Sequence, residues 1–194
     1  MILAVDAGGT KTNLALFTPR NGRMEQGDMN SFPSREFSSL ESVLKEFLSE
    51  KGSVDLVCVG VAGPVRKGRS RLTNLPWVVE EESIRRVCGA RRGFLINDLQ
   101  ATAFSVSYLP PGSFHVLQAA EPDPQGTIAV VAAGTGLGVG YLVRCARGYL
   151  PFASEGGHAG FAPRDGREAK LLAYLKARHG RVSMERVVSG PGLH

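Results

Sequence analysis

The sequence predicts an α/β protein whose sheet is largely parallel. Two observations carry that prediction: short apolar strands alternate with amphipathic helical segments through the first half, and their order runs strand–helix–strand–helix. The 194 residues are 43% hydrophobic and 21% charged, enough for one ordinary domain or two small ones, and neither a disordered nor a fibrous chain fits. The 24 glycines follow no three-residue period, which excludes collagen; they cluster at a few turns instead.

The elements follow in order. Residues 2–5 and 14–17 are strands flanking the turn AGGTKT, a hairpin signal. Residues 38–50 form a helix in which Ser38 and Glu41 make a capping box. Leu40, Val43, Leu44, Phe47 and Leu48 share its apolar face, and Gly52 sits at its stop. Residues 54–61 are a buried strand closed by Ala62-Gly63-Pro64. Glu80, Glu81 and Glu82 open a short helix to Cys88, their charge suiting the positive helix end. Residues 94–96 are another buried strand, and Asp98 follows it before the helix-like LQATAFSVS. A turn-rich break at 108–113 divides the chain into domains 1–110 and 111–194. In the second, residues 128–132 and 139–143 are strands around AGTGLG. A helix over 168–178 groups Leu171, Leu172 and Leu175 and stops at Gly180, and a further helix begins at Ser183.

Several functions are disfavoured. The net charge is +5, but the clusters Arg66, Lys67, Arg69, Arg71 and Arg85, Arg86, Arg91, Arg92 lack interleaved aromatics and a recognition helix. They read as solvated surface, not a nucleic-acid face. Cys58, Cys88 and Cys145 lie far apart, without zinc or disulfide spacing, and a reducing cytoplasm is the expected location. Asp6 interrupts the stretch a signal peptide would need, and four glycines break the uncharged run 124–143, which reads as strand–turn–strand and not as a membrane span.

The glycine turns in AVDAGGTKTNLAL (4–16) and VVAAGTGLGVGYL (130–142) are alike. Each offers backbone N–H groups unobstructed by side chains, the form of a phosphate nest. One in each half suggests a phosphate chain gripped across a cleft; two unrelated hairpins are the plainer alternative. Thr10 stands where a Walker A loop needs its second glycine, and GxGxxG is absent, so neither a P-loop nor a Rossmann site is supported.

Six motifs in order are Asp6-Ala-Gly-Gly-Thr10, Thr73-Asn-Leu-Pro-Trp77, Ile96-Asn-Asp98, Gly134-Thr-Gly-Leu-Gly138, Glu155-Gly-Gly-His158 and Glu185-Arg-Val-Val-Ser-Gly-Pro-Gly192. Together they resemble the bacterial hexokinase-family glucokinases, members of the sugar kinase–actin–heat-shock ATPase fold group. The resemblance implies a ribonuclease-H-like (actin-like ATPase) small domain plus part of a second α/β domain. It also implies ATP-dependent phosphorylation of glucose at the 6-hydroxyl. Asp98 would be the general base, a role compatible with capping the helix that follows. Glu155, His158, Glu185, Asn97 and Asn74 would hold the sugar, whose hydroxyls need acceptors. Asp6 would orient Mg²⁺ through water. Gly8, Gly9 and Thr10 would hold the ATP phosphates from one side, and Gly134, Thr135 and Gly136 from the other.

Lys11 departs from the asparagine common in the glucokinase subgroup. The zinc motif of repressor-related sugar kinases and an N-terminal helix-turn-helix are missing. A non-catalytic sugar-binding or regulatory fragment is the alternative reading; an actin-like or chaperone-like ATPase is opposed by the sugar motif EGGH. A homodimer is one assembly the family allows. Kinases of this type continue well beyond Ser-Gly-Pro-Gly, so the chain reads as an N-terminal portion. Its second half should then expose apolar faces.

Overall fold

The structure, a computed structural model, describes residues 1–146 and 148–194. Two compact units divide the chain, Met1–Ala101 and Thr102–His194. The division falls inside a helix, a little before the break expected at 108–113.

The first unit is built on a five-stranded sheet of order β3-β2-β1-β4-β7. Strands β1 (Ile2–Ala7), β2 (Lys11–Arg20) and β3 (Arg23–Pro33) form an antiparallel meander. Helix α1 (Leu40–Leu48) then crosses to β4 (Leu56–Val61), parallel to β1. A small hairpin of β5 (Arg69–Arg71) and β6 (Val78–Glu80) precedes helix α2 (Glu81–Val87). Strand β7 (Arg92–Asn97) returns parallel to β4, and helix α3 (Asp98–Val106) leaves from its carboxyl end.

Alternation explains the core. Leu3, Val5 and Ala7 of β1 and Val57, Val59 and Val61 of β4 are buried, and Leu40, Val43, Leu44 and Phe47 of α1 close over the sheet. Removal of such apolar surface from water is the main force holding the unit together. Trp77 is also buried, its indole N–H donating to the Phe37 carbonyl at 3.2 Å.

Some expectations are corrected. The capping box of α1 is Ser39 with Ser42, not Ser38 with Glu41: the Ser42 N–H donates to Ser39 Oγ at 3.3 Å, and the Ser39 N–H to Ser42 Oγ at 3.4 Å. Glu41 lies one position too early for the box, and its carboxylate accepts from Ser83 Oγ at 2.8 Å instead. Strands β3, β5 and β6 are additional. β3 is exposed along nearly all its length, so it shows no apolar alternation.

The second unit contains the antiparallel sheet β10-β9-β8, from β8 (Ile128–Ala133), β9 (Leu137–Cys145) and the unexpected β10 (Gly148–Ser154). Helices α4 (Gly166–His179), α5 (Met184–Val187) and α6 (Gly190–Leu193) follow. Asp165 caps α4, its carboxylate accepting from the Glu168 N–H at 2.8 Å, and Gly180 ends it at φ +72°. The apolar face expected of α4 buries nothing: Leu171 is 39% and Tyr174 51% exposed. Val131, Leu150 and Phe152 of the sheet are exposed as well, so this unit does carry the apolar surface expected of it. Among the described residues no helix is long and apolar enough to cross a membrane.

Candidate active site

In the first unit the expected residues gather at the carboxyl edge of the parallel strands. Asp6 of β1 pairs in register with Gly60 of β4, and Val61 with Asn97 of β7. This edge is where open α/β sheets present ligand-facing groups. Gly60 leaves room there: a Cβ added to it would lie 3.8 Å from the Asp98 Cα.

The turn between β1 and β2 is drawn tight by the Gly8 N–H, which donates to the Lys11 carbonyl at 3.1 Å. The Gly9 and Thr10 N–H groups make no backbone hydrogen bond among the described residues. Gly9 must be glycine because a Cβ there would meet the Asn74 Cβ at 2.7 Å. Ser34 braces the turn from beneath. Its hydroxyl donates to the Gly8 carbonyl at 2.8 Å and lies 2.9 Å from Thr12 Oγ1, and its N–H donates to the Thr10 carbonyl at 3.0 Å. Sequence reasoning missed this pair. Thr12 left one signal, a polar residue in the buried register of Leu14 and Leu16; Ser34 left none.

Asp98 opens α3. Its Oδ1 accepts from the Leu99 N–H at 2.8 Å and from Asn97 Nδ2 at 3.0 Å. Burial pushes the carboxyl above its ordinary range; the Leu99 N–H opposes that, and the negative charge of Asp6 adds to it. Asp6 itself is exposed and accepts from Asn13 Nδ2 at 3.2 Å. Asn97 also donates to the Gly63 carbonyl at 3.1 Å. Asn74 is exposed beside the glycine turn.

The second unit brings its own set together. The Glu185 carboxylate accepts from the Leu137 N–H at 3.0 Å, directly behind the turn Gly134-Thr135-Gly136. His158 lies between two acids, with Nε2 at 3.7 Å from Glu155 and Nδ1 at 4.0 Å from Glu185. Gly157 packs so closely on the Leu137 carbonyl that a side chain there would overlap it. The Gly190 N–H donates to the Gly134 carbonyl at 2.8 Å, so the start of α6 supports the same turn.

Among the described residues no three His, Cys, Asp or Glu side chains are grouped as around a metal ion. The basic clusters are partly engaged: Arg69 lies 3.3 Å from Glu80, and Arg85 2.7 Å from Glu82.

A meander of three strands continued by two parallel ones, with a glycine turn after the first strand, defines a domain of the actin-like ATPase class. A solved glucokinase from an Antarctic psychrotroph has this fold, with a TM-score of 0.85 at 35% identity over 99% of this chain and 61% of that one. The glucokinase family model matches residues 3–194, and the chain belongs to the glucokinase family. It is 38% identical over 198 residues to the glucokinase of Nostoc punctiforme, and 40% identical over 206 residues to that of Synechocystis. These alignments take in 100% and 98% of this chain. The chain spans 58% of the length of each of these relatives. A glucokinase from Balamuthia mandrillaris in complex with glucose shares the fold, with a TM-score of 0.67 at 22% identity over 99% of this chain and 60% of that one.

Proposed function

We propose that this chain carries the sugar-phosphorylating residues of a glucokinase, in which the γ-phosphoryl group of ATP passes to the 6-hydroxyl of glucose. The observation that carries the reading is Asp98: a half-buried carboxylate with a raised pKa, held at the sheet's carboxyl edge within electrostatic reach of Asp6. Two hydrogen bonds occupy its Oδ1, which leaves Oδ2 for the sugar hydroxyl. As that oxygen attacks the γ-phosphorus, its proton passes to Asp98. The bond from phosphorus to the β–γ bridging oxygen breaks, and ADP leaves with the electron pair.

Asn97, Glu155, His158 and Glu185 are the proposed sugar ligands, with Asn74 beside them in role. Gly8, Gly9 and Thr10, and likewise Gly134, Thr135 and Gly136, are the proposed phosphate turns. The N–H groups of Gly9 and Thr10 support this, since among the described residues no backbone acceptor takes them. A divalent cation fits Asp6 because two neighbouring carboxylates favour positive charge, and a cation held largely through water suits Mg²⁺. When bound, Mg²⁺ would supply charge neutralisation on the phosphates.

Glucose-dependent ADP release tests the reading. Asp98→Asn is expected to lower it about 10²–10⁴-fold, the usual worth of a positioned base. Turnover close to that of the unsubstituted protein would remove Asp98 from the role. Because the chain spans 58% of its relatives' length, a second reading has its own support: glucose binding without ADP release would make the chain a non-catalytic sugar-binding unit.

A further inference from the structure

We propose that Ser34 is a positioning residue for phosphate: its buried hydroxyl pins the Gly8–Gly9 peptide so that the Gly9 N–H faces the phosphate chain. The inference rests on the reading of the turn Gly8-Gly9-Thr10 as a phosphate site. A serine hydroxyl has one proton and two lone pairs. The Gly8 carbonyl can only accept, so Ser34 commits its proton there, at 2.8 Å. Thr12 Oγ1, 2.9 Å away, is then the donor to Ser34 Oγ. The bonds run one way, from Thr12 through Ser34 to the Gly8 carbonyl. Thr12 and Ser34 are both 0% exposed, so bulk water does not compete for either hydroxyl, and each bond polarises the next.

The planarity of the peptide turns this bond into an aiming device. In a trans peptide the C=O of one residue and the N–H of the next point in opposite directions, and the described residues contain no cis peptide. With its carbonyl drawn to Ser34, the Gly8–Gly9 unit aims the Gly9 N–H away from the buried side. That N–H is one of the two left without a backbone acceptor among the described residues. Two adjacent glycines offer little steric resistance to a flip of this peptide, which would present a carbonyl to phosphate in place of a donor. Ser34 supplies the resistance, and its own place is fixed. Its N–H donates to the Thr10 carbonyl at 3.0 Å, and its carbonyl accepts from the Phe37 N–H at 3.3 Å. The Phe37 carbonyl in turn takes the indole N–H of the buried Trp77 at 3.2 Å. One residue thereby anchors the proposed phosphate turn to the core, from 26 positions further along the chain.

The test uses this chain, its Ser34→Ala variant and the double variant Thr12→Val, Ser34→Ala, with tripolyphosphate and Mg²⁺ as the probe in an NMR titration. In the unsubstituted chain the probe should shift the Gly9 and Thr10 amide resonances. In Ser34→Ala the affinity should fall about tenfold, because the turn is no longer preorganised. The Gly9 amide should also broaden there by exchange between two peptide orientations on the μs–ms timescale. Tm should fall by about 4–8 °C, because the Thr12 hydroxyl is left buried without an acceptor. The double variant removes that hydroxyl, so most of the Tm loss should return while the affinity stays about tenfold weak. An affinity loss below about threefold in Ser34→Ala, or an affinity that recovers together with Tm in the double variant, overturns the proposal. Should neither variant fold, the unsubstituted chain decides: a Gly9 amide already exchanging between two states overturns the proposal, and a single sharp resonance upholds it. An unsubstituted chain whose Gly9 and Thr10 amides ignore the probe overturns the phosphate reading itself, whatever Ser34→Ala does to the turn.

Discussion

The Glu185 carboxylate is hydrogen-bonded to the Leu137 backbone N–H at 3.0 Å, so a proposed sugar ligand is fastened to a proposed phosphate turn. Glu185 leaves the chain at α5 and Leu137 begins β9, and the bond joins elements 48 residues apart in sequence. It accounts for glycine at 136: a Cβ there would lie 2.5 Å from Glu185 Oε2.

Gly136→Ala is therefore expected to act through Glu185. The obstructing atom is the far end of a side chain, so the fold can adjust by turning the carboxylate off the Leu137 N–H. Glucose affinity should fall about tenfold, in line with losing one charge-assisted hydrogen bond, with thermal stability lowered by less than about 2 kcal/mol. Calorimetric glucose titration beside thermal melting checks this. Unchanged affinity would separate Glu185 from the sugar.

Asp98→Asn is expected to stabilise the protein at neutral pH while lowering turnover about 10²–10⁴-fold. Burial raises the folded-state pKa of Asp98 above its unfolded value. Between those two values the folded chain binds more protons than the unfolded one, so stability falls as pH rises through that window. Above it the charge is a standing cost. Asparagine can accept the same bonds from the Leu99 N–H and from Asn97 without that charge. Tm should rise at pH 7, and the gain should shrink as pH drops towards the ordinary carboxylate range. A lower Tm at pH 7 would contradict this assignment of cause.

Why the sequence disclosed some of this and not the rest is visible residue by residue. Strands β1, β4 and β7 were legible as short apolar runs, although β7 is less buried than its sequence suggests, with Phe94 exposed, and α1 because Leu40, Val43, Leu44 and Phe47 fall on one face. Strand β3 was not, since an edge strand facing solvent has no period to display. Its signal was the turn: Asn21 and Gly22 have φ of +50° and +74°, the conformation an Asn-Gly hairpin turn requires. The site residues were legible as motifs, yet their partners were not. Asn97 to Gly63 spans 34 residues and Ser34 to Gly8 spans 26, and no local pattern encodes such contacts.

Two glycines, Gly63 and Gly27, should respond oppositely to alanine. At Gly63 the new Cβ would sit 2.8 Å from a backbone carbonyl, that of Arg71, which cannot rotate away. Gly63→Ala should cost about 1–3 kcal/mol, the usual penalty of overpacking, and should loosen Asn97. At Gly27 in β3 the nearest atoms are 3.7 and 3.9 Å away, ordinary contact distances. Gly27→Ala should be neutral or slightly stabilising, since it reduces the freedom of the unfolded chain. Urea denaturation of both variants makes the comparison, and equal losses would refute it.

Thiol reactivity supplies a probe of the first unit's core. Cys88 caps the end of α2 at 1% exposure, and burial pushes its thiol up to about 11. Burial pushes the Cys58 thiol up as well, and Cys58 and Cys145 are each only partly buried. The thiolate is the reacting species, so labelling with a disulfide reagent at pH 8 should proceed at Cys145 well before Cys88. Cys88 should react only as the unit opens, giving an opening rate without any spectroscopic label. The same shift makes stability fall as pH rises from about 9 to 11, because across that interval the folded thiol keeps a proton the unfolded chain has lost. Labelling of Cys88 in step with Cys145 at pH 8 would show that the core around α2 is open in the native protein.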